Sequence, residues 1–187
     1  MTDLIVNPGA VNGVQVWQHK VFKDLRGKLS KAYVFDSEEF GNSQFQTFEI
    51  FFTFSKMNVF RGMHLQSGIH PSAKIVSLVQ GNATDFLLDL RSESTTFGKV
   101  QIEKMTNEAP KSVYIPKGVA HGYISHSDNT IFSYNYETAF CQDCDSGISP
   151  KVIEPYIGTE LSQLVLSHRD KLLTELSYEA NNTRIHK

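Results

Sequence analysis

The chain reads as an all-β domain, a sandwich or barrel of short strands. Three observations point there. Aromatic residues are abundant, with 13 phenylalanines and 7 tyrosines. Segments rich in β-branched and aromatic residues recur at intervals of roughly 8–12 residues, each stopped by a Gly, Pro, Asn or Asp cluster. No long stretch with the 3.6-residue helical period appears before about residue 160. In order, Val14–Trp17 is the first candidate strand. A basic stretch and Arg26-Gly27 lead into Leu29–Phe35, and Thr47–Phe54 is almost wholly apolar or aromatic. Lys74–Val79 ends at Gln80-Gly81-Asn82, a turn sequence, and Ala83–Leu90 and Gly98–Lys104 follow. Val113–Ile115 stops at Pro116-Lys117-Gly118; Tyr123–His126 turns at Ser127-Asp128-Asn129 into Thr130–Tyr136. Thr159–Leu176 reads as one or two short helices, with Ser167 and Asp170 spaced as a capping start. Tyr178–Lys187 is polar and expected to fray. With no linker or repeat, one domain is expected over 1–187, its core spanning about 14–175.

Composition narrows the role. The 187 residues are 40% hydrophobic and 20% charged, as in ordinary globular proteins, and the net charge is −2. A nucleic-acid partner would call for a basic excess. No apolar run reaches the roughly 20 residues that span a bilayer. Met1–Pro8 lacks a basic segment followed by a long apolar one. The expectation is a soluble cytoplasmic protein with neither a nucleic-acid nor a membrane partner. Cys141 and Cys144 form a single C-x-x-C among polar residues. A zinc site would need two more ligands at suitable spacing. Two free thiols in a loop are expected, a disulfide being disfavoured in a reducing compartment.

Seven histidines are present. His19, His126 and His186 have polar neighbours and are expected to be plain surface; His70, in a Gly-Ile-His-Pro loop, is open to either reading. His64 and His121 differ, since each follows a glycine turn and enters an aromatic-rich strand, close to Arg61, Gln66 and Lys74. Such a pair suggests acid–base chemistry.

Pro116-x-Gly118-x-x-His121 resembles the second signature of the cupin superfamily, jelly-roll β-barrels or sandwiches. The first cupin signature supplies His-x-His and then Glu to a metal. Here His64-Leu65-Gln66 stands in its place, so no metal and no cofactor are expected. More specifically, the chain resembles the dTDP-4-dehydrorhamnose 3,5-epimerase family. Phe22–Gly27, Phe60–Gln66, Lys74–Val76, Leu88–Ser92, Ile115–Tyr123, Tyr134, Gly147-Ile148 and Leu166–Asp170 carry the resemblance. It implies a nucleotide-diphosphate 4-keto-6-deoxysugar as substrate and a homodimer with strand exchange near the N-terminus.

The resemblance also implies roles. His64 matches the general base, Asp170 the carboxylate that orients it, Tyr134 the general acid on the opposite sugar face, and Lys74 the cation near the 4-keto oxygen. His121, with Asp85 behind it, matches a second pocket histidine. Arg61 and Arg26 would contact substrate, with diphosphate a candidate for Arg61. Glu49 and Gln66 fall among the substrate-contacting positions, and Phe140 falls near the nucleotide base. The chemistry is consistent with those residue types. A 4-ketone acidifies the hydrogens on C3 and C5, yet imidazolium remains the stronger acid by roughly a dozen pKa units, or ~16 kcal/mol. A fixed ammonium beside the enolate oxygen helps close that gap. Inversion then needs a proton from the far side, which a phenol can give.

Several positions depart from the family pattern. Glu49 replaces Gln, Phe51 stands where Asn is expected, Lys28 replaces an aromatic residue, and Ser149-Pro150-Lys151 replaces Trp-x-Asp-Pro. The expectation is an epimerase acting at C3, C5 or both, and the departures point either to a sugar or nucleotide different from the thymidine-linked parent or to inversion of only one centre. A 3,4-ketoisomerase, a catalytically inactive sugar-binding cupin and a metal-dependent cupin oxygenase are the alternatives.

Overall fold

The computed structural model describes residues 6–8, 10–34 and 44–175, with backbone only for 6–8. Two sheets face each other. The larger has the order β1-β2-β10-β7-β12-β5, from Val6–Pro8, Gln15–Gln18, Lys111–Ile115, Lys74–Gln80, Thr130–Tyr136 and Glu49–Ser55. The smaller runs β13-β6-β11-β8-β9, from Asp145–Gly147, Phe60–Gln66, Val119–Ser125, Asn82–Asp89 and Val100–Thr106. Within these two sheets every strand pairing is antiparallel. A separate hairpin, β3 (Val21–Asp24) with β4 (Gly27–Ser30), completes the set.

Alternation along the strands sorts the side chains into three apolar layers. Val76, Leu87, Val113, Tyr123 and Phe132 meet between the sheets. Phe60, Met63, Phe86, Ala120 and Ile153 pack on the outer face of the smaller sheet, and Trp17, Phe45, Ala73 and Ile75 on that of the larger. Burying each large side chain contributes about 1.5–3 kcal/mol. Strand β11 lies in the middle of its sheet with all seven residues buried, which explains its near-continuous apolar composition. Where β6 crosses β11, a Cβ on Gly62 would lie 2.4 Å from Gly122 Cα. Two glycines let the strand before His64 approach its neighbour closely.

Edge strand β5 turns three apolar side chains to an uncovered face of its sheet. Ile50, Phe52 and Phe54 are 57%, 53% and 67% exposed. The strand expected at Leu29–Phe35 ends at Ser30; Phe35 itself lies outside the described residues, as do Leu176, the 178–187 tail and His186. The expected C-terminal helices shrink to single turns. They are a 3₁₀ turn at Leu161–Gln163 and α2, His168–Lys171, with an earlier short helix, α1, at Glu154–Ile157. Ser167 does cap α2, its hydroxyl accepting the Asp170 N–H at 3.0 Å.

Two expectations are corrected. Cys141 and Cys144 are not free thiols but form a disulfide. A 3₁₀ turn at Gln142–Cys144 brings their Cα atoms to 5.1 Å, within bridging range. His19 is not surface but buried. Its Nε2 lies 2.7 Å from Ser112 Oγ, whose own proton goes to the Ala32 carbonyl, so Nε2–H is the donor. Nδ1 is buried with no partner among the described residues. A second ring proton would therefore find no acceptor, and burial lowers the His19 pKa to about 4. The unfolded chain takes up that proton near pH 6.5, so His19 lowers stability progressively as pH falls from there toward 4. Between pH 7 and pH 5 the expected loss from this residue is about 2 kcal/mol. A His19→Gln variant should show a flatter dependence of Tm on pH over that window; an unchanged slope would contradict it.

Candidate active site

A cavity of about 470 Å3 opens between the two sheets at one end of the sandwich. The smaller sheet supplies His64 from β6 and His121 from β11, which sit opposite each other in the strand register. The larger sheet supplies Lys74 from β7 and Tyr134 from β12. Asp170 comes from α2.

Each polar group has a definable state. His64 Nε2 lies 2.7 Å from Asp170 Oδ1, with the imidazole 28% exposed and the carboxylate buried. An ionised carboxylate only accepts, so Nε2 carries the proton and Nδ1 is left as the basic nitrogen. Burial alone would raise the Asp170 pKa. Hydrogen bonds from His64, Ser167 and the Gly62 N–H outweigh it and hold the group below its usual value. His121 is wholly buried with Nε2 2.6 Å from Asp85 Oδ1. Burial, reinforced by Lys74 and His64, keeps its pKa low despite that carboxylate. Burial also raises the Tyr134 pKa well above 10, with Tyr123 and Asp85 adding to it. Tyr134 is thus a protonated phenol at neutral pH. Lys74 is buried, and its ammonium donates to the His64 carbonyl at 3.2 Å and to Tyr136 Oη at 3.3 Å. It has no carboxylate partner among the described residues.

The remaining expected residues divide. Arg61 lines the cavity, its guanidinium held by Ser55 Oγ and the Phe54 carbonyl. Glu49, Gln66 and Phe140 line a smaller adjoining cavity, where Glu49 accepts the Phe140 N–H at 2.7 Å. The Gln66 amide is fully engaged within the protein. Its Nε2 donates to His70 O, Thr138 Oγ1 and Ala139 O, and its Oε1 accepts the Cys141 N–H. Asp85 lies behind His121 and lines neither cavity. Arg26 also lies outside both, exposed at the β3–β4 turn and paired with Asp24. Among the other histidines, His70 is exposed, and His126 is exposed with Nε2 2.7 Å from Thr84 Oγ1. Sequence reasoning missed Tyr136, and it missed Arg169, which pairs with Asp145 at 2.9 Å; both line the two cavities. Arg169 stands next to Asp170 in the sequence, the one signal that could have found it. Among the described residues no three His, Cys, Asp or Glu side chains converge as a metal site.

The sequence pattern described as dTDP-4-dehydrorhamnose 3,5-epimerase matches residues 8–177. The chain belongs to the dTDP-4-dehydrorhamnose 3,5-epimerase family. It is an epimerase of deoxysugar biosynthesis with the cupin-like fold of that family. The Escherichia coli K12 dTDP-4-dehydrorhamnose 3,5-epimerase is 30% identical over 175 residues, 89% of this chain and 91% of that protein. The crystal structure of the family enzyme from Elizabethkingia anophelis matches with a TM-score of 0.80 and 26% identity. The match covers 92% of this chain and 95% of that one. A Legionella pneumophila dTDP-6-deoxy-D-glucose-3,5-epimerase, solved with dTDP-4-keto-L-rhamnose bound, shares the fold at a TM-score of 0.80 and 24% identity, over 92% of each chain.

Proposed function

We propose that this epimerase inverts C3, C5 or both of a nucleotide-diphosphate-linked 4-keto-6-deoxyhexose through an enolate. The observation that carries the reading is the arrangement of the cavity. A base oriented by a carboxylate projects from one sheet, and a protonated phenol and an uncompensated ammonium project from the other. His64 Nδ1 takes the proton beside the ketone. Lys74 stabilises the charge that develops on the carbonyl oxygen, and Tyr134 delivers a proton to the opposite face. Arg61 supplies cationic hydrogen bonds for the diphosphate. Phe140 offers an exposed ring for a nucleobase. The substrate class is supported by the dTDP-sugar held by the Legionella relative.

A homodimer fits the exposed apolar features of the chain. Phe22, Leu25 and Leu29 are exposed on the β3–β4 hairpin, as are Ile50, Phe52 and Phe54 on β5. A hairpin laid against a second copy would bury such surface and carry Arg26 with it. We place the protein in the cytoplasm; no described helix is long and apolar enough to cross a membrane.

The test is proton NMR in deuterated water with a panel of nucleotide-linked 4-keto-6-deoxysugars. Deuterium at C3 or C5 is expected for at least one; label at neither position of any rejects the reading. Tyr134→Phe should slow inversion by about 10²-fold or more while leaving measurable exchange at the first carbon. Equal loss of exchange and inversion would remove Tyr134 from the acid role.

A further inference from the structure

Polar anchors hold three of the four polar groups that face one another in the cavity. His64 is tied to Asp170, Lys74 to the His64 carbonyl and Tyr136 Oη, and His121 to Asp85. Tyr134 has no such anchor, since its hydroxyl makes no hydrogen bond among the described residues. Its direction is set by ring packing. In the register of β12 against β5, Tyr134 sits directly opposite Phe51. The two rings stack with centroids 4.9 Å apart and planes within 6°, while His121 meets the same phenol edge-on at 5.7 Å. Phe51 also covers Tyr136 at 5.5 Å and lines both cavities, so it stands where they join. Parallel offset rings at this spacing are a favourable aromatic geometry, and a directly opposed cross-strand pair is where such contacts are strongest in a sheet.

We propose that Phe51 is the positioning residue for the acid, holding the Tyr134 hydroxyl on the sugar face opposite His64 so that the enolate is protonated with inversion. The inference rests on the assignment of His64 and Tyr134 as base and acid. The proton balance shows why aim decides the outcome. The C–H bond breaks toward His64 Nδ1, giving imidazolium and enolate. If the Tyr134 O–H then breaks toward carbon, a new C–H bond forms on the far face, and solvent reprotonates the phenolate. If the phenol is misdirected, His64, having exchanged its proton with solvent, returns a proton to the original face. In deuterated water that return leaves labelled substrate of unchanged configuration.

The measurement is the ratio of deuterium in uninverted substrate to deuterium in inverted product, read by NMR on the sugar the wild type accepts. In Phe51→Leu the ratio should rise by about tenfold, the scale of loss expected when a reacting group is misplaced by a fraction of an ångström. Phe51→Ile, whose side chain suits a strand, should behave the same way and serves if the leucine variant folds poorly. Phe51→Tyr keeps the stacked ring and should keep the wild-type ratio. A merely structural role would lower exchange and inversion together. An unchanged ratio in the leucine and isoleucine variants overturns the proposal, as does a tyrosine variant that behaves like leucine. A wild type that labels no carbon overturns the acid–base assignment and this inference with it.

Discussion

A His64→Ala variant is expected to lose deuterium exchange and turnover together, each by about 10²–10⁴-fold. No other group in the cavity can take its place. His121 is buried against Asp85, and its basicity is depressed. The Asp170 carboxylate is buried behind the imidazole, so removing the ring leaves it about a ring's width from the proton that Nδ1 would take. Tyr134, kept protonated by burial, cannot act as a base near neutral pH. Exchange is the decisive readout because it needs only the first proton transfer. NMR wash-in of deuterium measures it directly. Retained exchange in His64→Ala, with exchange lost in Tyr134→Phe, would reverse the two roles.

Lys74→Met is expected to lower kcat for both exchange and inversion by about 10²–10³-fold. The side chain is buried and within contact of the cavity, and two of its three N–H donors meet neutral oxygens, from the His64 carbonyl and Tyr136. The third is available to a developing oxyanion, in surroundings where no carboxylate among the described residues neutralises the charge. Both reactions pass through the same enolate, so both should fall in parallel, unlike the split expected for Tyr134→Phe. Lys74→Arg should not restore the rate, since a flat guanidinium does not fit the space and direction of a single ammonium. Exchange at the wild-type rate in Lys74→Met would place enolate stabilisation elsewhere.

The strands that were legible are those bounded by local turn chemistry. Gln80-Gly81-Asn82 and Pro116-Lys117-Gly118 mark the ends of β7 and β10 because glycine and proline restrict or free the backbone locally. The β3–β4 hairpin was not legible as a pair: lysines and Asp24 break its apolar alternation, and it stands apart from both sheets. Helical turns of four residues are too short to show a period, so the C-terminal reading overestimated their length. His19 looked like surface because its neighbours in sequence are polar. Its partner Ser112 is 93 residues away, and no local pattern reports that distance. The cysteines were misread for a similar reason, since their pairing follows from the turn between them. Within the site, glycine-flanked His64 and His121 drew notice from residue patterns alone. Asp170 and Tyr134 did not: one reads as a helix cap and the other as core packing, and the resemblance singled them out. Phe51 was visible only as a departure from the family pattern. Its contact with Tyr134 depends on strand register, which sequence spacing leaves undetermined.

The hydrogen bond between His64 and Asp170 closes a span of 106 residues, and Lys74 and Tyr134 facing it come from a different sheet. A nascent or refolding chain completes this centre late, because the contact that orients the base must first meet the entropy of closing that long loop. Catalytic competence should therefore return late in refolding, behind signals that report only strand formation. The rate at which deuterium wash-in recovers after dilution from denaturant would time the docking of the two layers, with the enzyme serving as its own folding clock.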